Sequence, residues 1–240
     1  MSNEKKHPFH LHTYRGPLFD SIRELIFGLE DGMVSTLGVI VGVAAGTGQR
    51  SVVILTGFVV VAVEALSMAA GSYLSNKSDQ ELKGKLLDEQ KEDIEKSPDQ
   101  EQDQASRILK EKGYTIDEQV IIMQRLRRSK KRLLSFLAHH DLDMQVHKQP
   151  FSTILLSAFI MWTTYIIGGM IALAAFFFVP MTYASVIAVL FVASALFLLG
   201  VLKGVFLGIS WLRSGLEMML VSLVAAGIGY AVGKFFAIVM

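Results

Sequence analysis

The residues able to do chemistry in this chain are carboxylates standing where a soluble protein would place leucine. Asp20, Glu24, Glu30 and Asp31 lead into one apolar stretch, and Glu64 lies inside the next, followed by Met68. A carboxylate in a bilayer costs about 2.5–3.5 kcal/mol on insertion scales, so a chain that keeps several there has a use for them. At about 100° per helical residue, Asp20, Glu24 and Asp31 fall within about 40° of one another, and Glu30 lies about 80° off that face. Asp31 sits about 10 Å further along the axis than Glu24. The pattern is a ladder of oxygens leading into the membrane from its inner side. Glu64 and Met68, four residues apart, stack on one face of their own helix. A hard carboxylate beside a soft thioether suits a borderline divalent ion such as Fe²⁺ better than Mg²⁺ or Ca²⁺. With 11 methionines in the chain, any one of them is more often packing than ligand. The bland alternative for Glu64 is a buried hydrogen bond.

The elements that must position these groups are membrane spans. Five apolar stretches, roughly 25–46, 52–74, 153–178, 183–202 and 216–238, reach the 20 or so residues a hydrocarbon core requires. The expected fold is an all-α integral membrane protein: five transmembrane helices with a helical cytosolic insert between spans two and three. The domain reading is a cytosolic N-terminal tail at 1–24, spans one and two in 25–74, the insert at 75–150, and spans three to five in 151–240. The insert holds 15 of the 23 Lys/Arg and 15 of the 22 Asp/Glu, which excludes an ordinary soluble globule. A net charge of +1 gives no electrostatic case for nucleic acid. The absence of cysteine excludes disulfides, thiolate metal sites and thiol catalysis. Residues 1–24 lack the apolar core of a cleavable secretory signal. Lys/Arg asymmetry places the N-terminus in the cytosol and the C-terminus outside.

Glycines refine the picture. Gly28, Gly32, Ser35, Gly38, Gly42 and Gly46 share one side of span one and overlap the carboxylate face. Small residues at this spacing let helix backbones approach closely. They either pack span one within its own chain or form a seam between two copies, with acids from both lining a shared path. Gly229 and Gly233 in span five have no acid nearby, so packing suffices there. In the insert, 79–103 is acidic and 107–132 basic, with apolar residues at helical spacing. Three or four short helices are expected. Either an acidic helix packs on a basic one by ion pairing, or the acidic helix gathers cations.

The sequence Arg23-Glu24-Leu25-Ile26-Phe27-Gly28-Leu29-Glu30-Asp31-Gly32, with Leu66-Ser67-Met68-Ala69-Ala70-Gly71-Ser72-Tyr73-Leu74-Ser75 and Lys77-Ser78, resembles the vacuolar iron transporter family of plants, yeast, protists and many prokaryotes. Gly168-Gly169 and Lys203-Gly204 are weaker matches. The resemblance covers nearly the whole chain. It implies a homodimeric exporter of cytosolic Fe²⁺, often also Mn²⁺, in exchange for protons. By motif position, Asp20, Glu24, Asp31 and Met68 fall on the family's transport path. One further acidic position falls on Val60, and Glu64 lies one turn later. In the family's cytosolic metal-binding domain, glutamates fall on Gln90, Asp93, Glu101, Gln104 and Asp141, and a methionine pair on Leu137 and Ala138. Glu89, Glu92, His139 and His140 lie beside those positions.

The mechanism these readings support is competition of proton and metal for the same oxygens. Asp20 and Glu24 form the mouth, Asp31 and Glu64 bind with proton coupling, and Met68 selects the ion. In the insert, Glu89, Glu92, Asp93, Glu101, His140 and Asp141 are the candidate ligands. The expected partners are membrane lipid, divalent metal ions, protons and a second copy of the chain. Fe²⁺ or Mn²⁺ is cargo, and no permanently bound cofactor is expected. The membrane is the cell membrane in a prokaryote or the vacuolar membrane in a eukaryote. Two alternatives stand beside this reading: a proton-independent metal channel or carrier, and a membrane-anchored metal sensor or scaffold. An enzyme is not expected. No nucleophile–base motif or phosphate loop is present, and His7, His10, His12, His139, His140 and His147 are scattered.

Overall fold

The computed structural model describes the backbone of residues 17–141 and 150–239, with side chains from 21 to 138 and from 150 to 239. Within these residues the secondary structure is helical: α1 (Pro17–Thr47), α2 (Arg50–Lys96), α3 (Pro98–Glu111), α4 (Ile116–Arg127), α5 (Lys130–Asp141), α6 (Phe151–Phe178), α7 (Met181–Leu207) and α8 (Trp211–Val239). Five of them, α1, α2, α6, α7 and α8, are long and apolar enough to cross a membrane. Their outward faces carry Leu55, Val59, Val63, Leu66, Leu190 and Leu198 exposed. That is the surface of a helix bundle solvated by hydrocarbon rather than by water. The chain is a multi-pass membrane protein.

The turns are short because glycine or proline breaks each helix sharply. Gly48 and Gly208 adopt left-handed backbone conformations, φ 64° and 68°, which side-chain-bearing residues resist. Between α6 and α7 the break is Val179-Pro180, and Pro180 caps α7.

The chain divides into two compact units. One comprises the spanning helices, up to Tyr73 and from Ser152, and the other is Leu74–Phe151. In the first, α1 is packed through its glycines against two neighbours. A Cβ on Gly28 would lie 2.1 Å from Thr164 Oγ1, and one on Gly32 would lie 2.3 Å from the Tyr165 carbonyl oxygen, both on α6. A Cβ on Gly42 would lie 2.8 Å from the Gly229 carbonyl on α8, and one on Gly229 only 2.0 Å from the Gly38 carbonyl. The glycine face of α1 is therefore filled by α6 and α8 of the same chain. Of the two readings of these glycines, the described residues show the packing within the chain. Met33, Leu37, Ile40, Val41, Leu173 and Phe176 complete a buried apolar core.

The second unit differs from expectation in one respect. Its first helix is the continuation of α2, which runs unbroken to Lys96 instead of ending near residue 74. No proline interrupts 75–96, and oppositely charged side chains three and four residues apart stabilise the exposed helix. Lys83–Asp79 at 2.5 Å and Lys96–Glu92 at 2.5 Å are examples. The helix stops at Ser97, where Pro98 disfavours continuation. Acidic residues of α2 thus pair largely within their own helix, while Lys130–Glu95 at 3.8 Å joins α5 to α2. The core beneath is apolar: Ile94, Ala105, Ile108, Leu109, Met123, Leu126 and Leu137.

Candidate functional site

α1 begins at Pro17 and so carries the acidic ladder on one continuous helix. Glu24 is buried, and its Oε1 lies 3.5 Å from the Arg23 guanidinium. Two turns deeper, Glu30 and Asp31 are half-buried. Glu30 interacts electrostatically with Lys203 of α7, and Asp31 interacts with Glu64 of α2. Asp31 of α1 and Glu64 of α2 are therefore close enough to feel each other's charge.

Glu64 is held by two hydroxyls. Ser35 Oγ, one turn after Asp31, donates to Glu64 Oε2 at 2.6 Å. The Tyr165 hydroxyl of α6 donates to the same oxygen, and Ser35 and Tyr165 also share a hydrogen bond with each other. Tyr165 is fully buried. Three oxygens thus form a triangle with three hydrogen-bonded edges. The two hydroxyls supply two protons. The third edge is left without one. Both hydroxyls meet Oε2, so Glu64 Oε1 lies outside the triangle.

Met68 is half-buried one turn after Glu64, and Val60 is half-buried one turn before it. Thr36, next to Ser35, is fully buried, and its Oγ1 has no hydrogen-bond partner among the described residues. A Cβ on Gly169 would lie 3.0 Å from that oxygen, which shows how tightly α6 closes over it. Past Thr36 the α1 side chains through Ala45 are apolar or glycine.

Sequence reasoning singled out Glu24, Asp31 and Glu64; it passed over Tyr165 and Thr36, which the structure places beside Glu64 and Ser35, and treated Ser35 only as a small residue. Span three looked inert because it holds no Asp, Glu, Lys, Arg or His. A tyrosine in mid-span carries a hydroxyl that needs a partner when buried, and that signal was available.

The insert candidates are more dispersed. Glu89 is exposed and 3.7 Å from Lys85; Glu92 is 2.5 Å from Lys96. Asp93 is exposed. Glu101 is buried and accepts a 2.5 Å hydrogen bond from Gln90. Among the described residues, no three of His, Cys, Asp and Glu gather into a metal-binding group. The side chains of Asp20, His139, His140 and Asp141, and all of His7, His10, His12 and His147, lie outside the described residues.

Comparison with known proteins gives a consistent answer. The VIT family profile matches residues 22–234. A protein of Arabidopsis thaliana named vacuolar iron transporter 1 is 28% identical over 214 residues, covering 89% of this chain and 85% of that one. One of Centaurea cyanus named vacuolar iron transporter is 27% identical over 216 residues, 90% of this chain and 87% of the other. The vacuolar iron transporter of Plasmodium falciparum (isolate 3D7) is 24% identical over 226 residues, covering 89% and 81%.

Proposed function

The chain belongs to the VIT family, and from that premise we propose that it moves Fe²⁺, and also Mn²⁺, out of the cytosol in exchange for protons. The observation that carries the reading is the pairing of Asp31 and Glu64. Two carboxylates from two different spans interact electrostatically, and one of them is hydrogen-bonded to Ser35 and Tyr165. Two acids brought together inside a bilayer repel unless a cation or a proton neutralises them. A divalent ion does so by bridging both; protons do so one at a time.

The triangle around Glu64 gives this exchange a specific form. With the metal bound, Glu64 is ionised, Ser35 and Tyr165 donate to Oε2, and Oε1 with Asp31 faces the ion. With the metal gone, a proton on Glu64 completes the third edge of the triangle. The site therefore has a defined hydrogen-bonded state for each occupant. Glu24, buried and beside Arg23, belongs to the mouth together with Asp20. Met68 lies on the Glu64 face of α2 and supplies the soft donor that favours Fe²⁺.

The remaining parts of the proposal have their own support. The N-terminus is cytosolic and the C-terminus is on the opposite side, on the argument of Lys/Arg asymmetry. The membrane is vacuolar in a eukaryotic host and the cell membrane in a prokaryotic one. The homodimer is supported by the family resemblance. Glu89, Glu92 and Asp93, with Glu101, His140 and Asp141, are proposed to gather metal at the insert, on the strength of the acidic run in 79–103.

The test is uptake of Fe²⁺, Mn²⁺ and Zn²⁺ into proteoliposomes loaded with a pH dye, with and without an imposed proton gradient. Fe²⁺ uptake should move protons outward and should accelerate when the lumen is acid. Asp31→Asn should abolish metal-driven proton movement. Unchanged exchange in that variant, or metal flux indifferent to the gradient, removes the proposal.

A further inference from the structure

The insert carries a cavity that the transport reading does not use. It has a volume of about 550 Å³ and is lined by Lys91, Ile94 and Glu95 of α2 and by Lys130, Lys131 and Leu134 of α5. The size falls in the range of small-molecule sites, about 300–1,000 Å³. Its charge is lopsided, with three lysines against one glutamate. Glu95 is engaged with Lys130 at 3.8 Å, and Lys91 reaches Asp88 at 2.6 Å. Lys131 has no acidic partner among the described residues. Both hydrophobic residues of the lining, Ile94 and Leu134, belong to the buried core, so the floor is apolar while the rim is cationic.

The local helix chemistry sharpens the imbalance. The first turn of α5 carries Lys130, Lys131 and Arg132 and no acidic residue. Cations at a helix N-terminus oppose the helix dipole, which favours negative charge there. Lys130 and Lys91 are partly compensated by Glu95 and Asp88, which leaves Lys131 as the uncompensated charge of the rim among the described residues. An anion in the cavity would compensate it, and it would be held from both sides, by Lys91 across from Lys130 and Lys131.

We propose that this cavity binds a small organic polyanion in which phosphate groups are joined to an apolar body, the class of the nucleoside polyphosphates. The phosphates meet Lys91, Lys130 and Lys131, and the body lies against Ile94 and Leu134. A free inorganic anion satisfies the rim and leaves the floor unused, so the two surfaces together select the larger ligand. Such a ligand joins α2 to α5.

The test uses the full chain in nanodiscs of zwitterionic lipid, free of divalent ions, titrated calorimetrically with ATP. ATP should bind saturably, with an affinity that falls as salt rises. Pyrophosphate and adenosine should each bind at least tenfold more weakly. Lys91→Gln and Lys131→Gln should each weaken ATP at least tenfold, while Lys85→Gln, on an exposed part of α2, should not. Circular dichroism checks that each variant is folded. Absence of saturable ATP binding overturns the proposal. So does pyrophosphate binding as tightly as ATP, which would mean that charge alone is read. Equal loss in the Lys85 variant overturns it too, as does displacement of ATP by phosphatidylglycerol vesicles at matched phosphate, which would assign the lysines to a lipid surface.

Discussion

Replacing Tyr165 by phenylalanine removes one oxygen from the Glu64 triangle and changes little else. The ring stays in its buried site, and the Tyr165 backbone, against which Gly32 packs, is untouched. Two hydrogen bonds are lost, one to Glu64 and one to Ser35. A hydrogen bond to a charged group is worth about 1.5–3 kcal/mol, and about 1.4 kcal/mol is a factor of ten. Proton-coupled metal exchange should therefore slow by roughly ten- to hundredfold. The assay is luminal pH change on Fe²⁺ addition to proteoliposomes, scaled to the amount of folded protein. A double-mutant cycle separates this from a general packing defect. In a Glu64→Gln background the carboxylate that Tyr165 serves is gone, so adding Tyr165→Phe should cost little more. The coupling between the two sites should approach the whole of the single-variant effect, about 1.5–3 kcal/mol. Wild-type exchange in Tyr165→Phe would refute the triangle. Additive losses would show that tyrosine and glutamate act separately.

Met68→Leu should weaken Fe²⁺ transport several-fold more than Mn²⁺ transport in the same vesicles; equal losses would mean that the sulfur only packs. Gly229→Ala places a Cβ 2.0 Å from the Gly38 carbonyl and should lower stability by about 1–3 kcal/mol or more, read as thermal unfolding in detergent. Gly227→Ala, with nothing within 4 Å, should be neutral or stabilising, and matching behaviour of the two would discount the α1–α8 contact. In the insert, the Thr115 backbone N–H and then its hydroxyl hold the Glu118 carboxyl below its ordinary range. The cap's contribution is therefore complete above that ordinary range and is lost as pH falls through the lower, folded-state value. Hydrogen exchange in the first turn of α4 should accelerate over that interval, and Glu118→Gln should flatten the dependence; an unchanged profile in the variant would discount the capping box.

The spans were legible because a bilayer imposes one simple demand, about 20 apolar residues in a row, and α6, α7 and α8 meet it plainly. The acidic face of α1 followed from helix angle alone. Partner choice did not follow. The glycines of α1 fit either an internal or an external neighbour by spacing, and only the positions of α6 and α8 decide between them. The length of α2 was misread because the fall in hydropathy near residue 74 marks the end of an apolar stretch, whereas the helix itself persists wherever no residue breaks it. Tyr165 lies about a hundred residues from Glu64, and no local pattern links them. Ser35 was visible, but its hydroxyl became meaningful only once Glu64 was found within 2.6 Å.

The position of the unpartnered hydroxyl constrains how such a protein could transport anything. Polar groups run along α1 from Glu24 through Asp31 and Ser35 to Thr36, and then cease until Thr47. Eleven residues of helix are about 16 Å, more than half the roughly 30 Å of hydrocarbon. Leu37, Ile40, Leu173 and Phe176 fill that length without exposure. A bare divalent ion driven through such packing would lose its ligands and its hydration together, at a cost of tens of kcal/mol. The described conformation therefore closes that length to an ion, so the proposed transport requires a second arrangement of α1 against its neighbours. The contacts best suited to change are those made by the glycines. They join backbone to backbone, whereas Met33, Leu37, Ile40 and Val41 of α1 share a buried core with Leu173 and Phe176 of α6, so any shift of α1 also repacks that core. In the proposed exchange, occupancy of the acid pair would supply the bias: metal and proton differ in charge and in the hydrogen bonds they would leave to Ser35 and Tyr165, and only such a difference can move an equilibrium between two conformations.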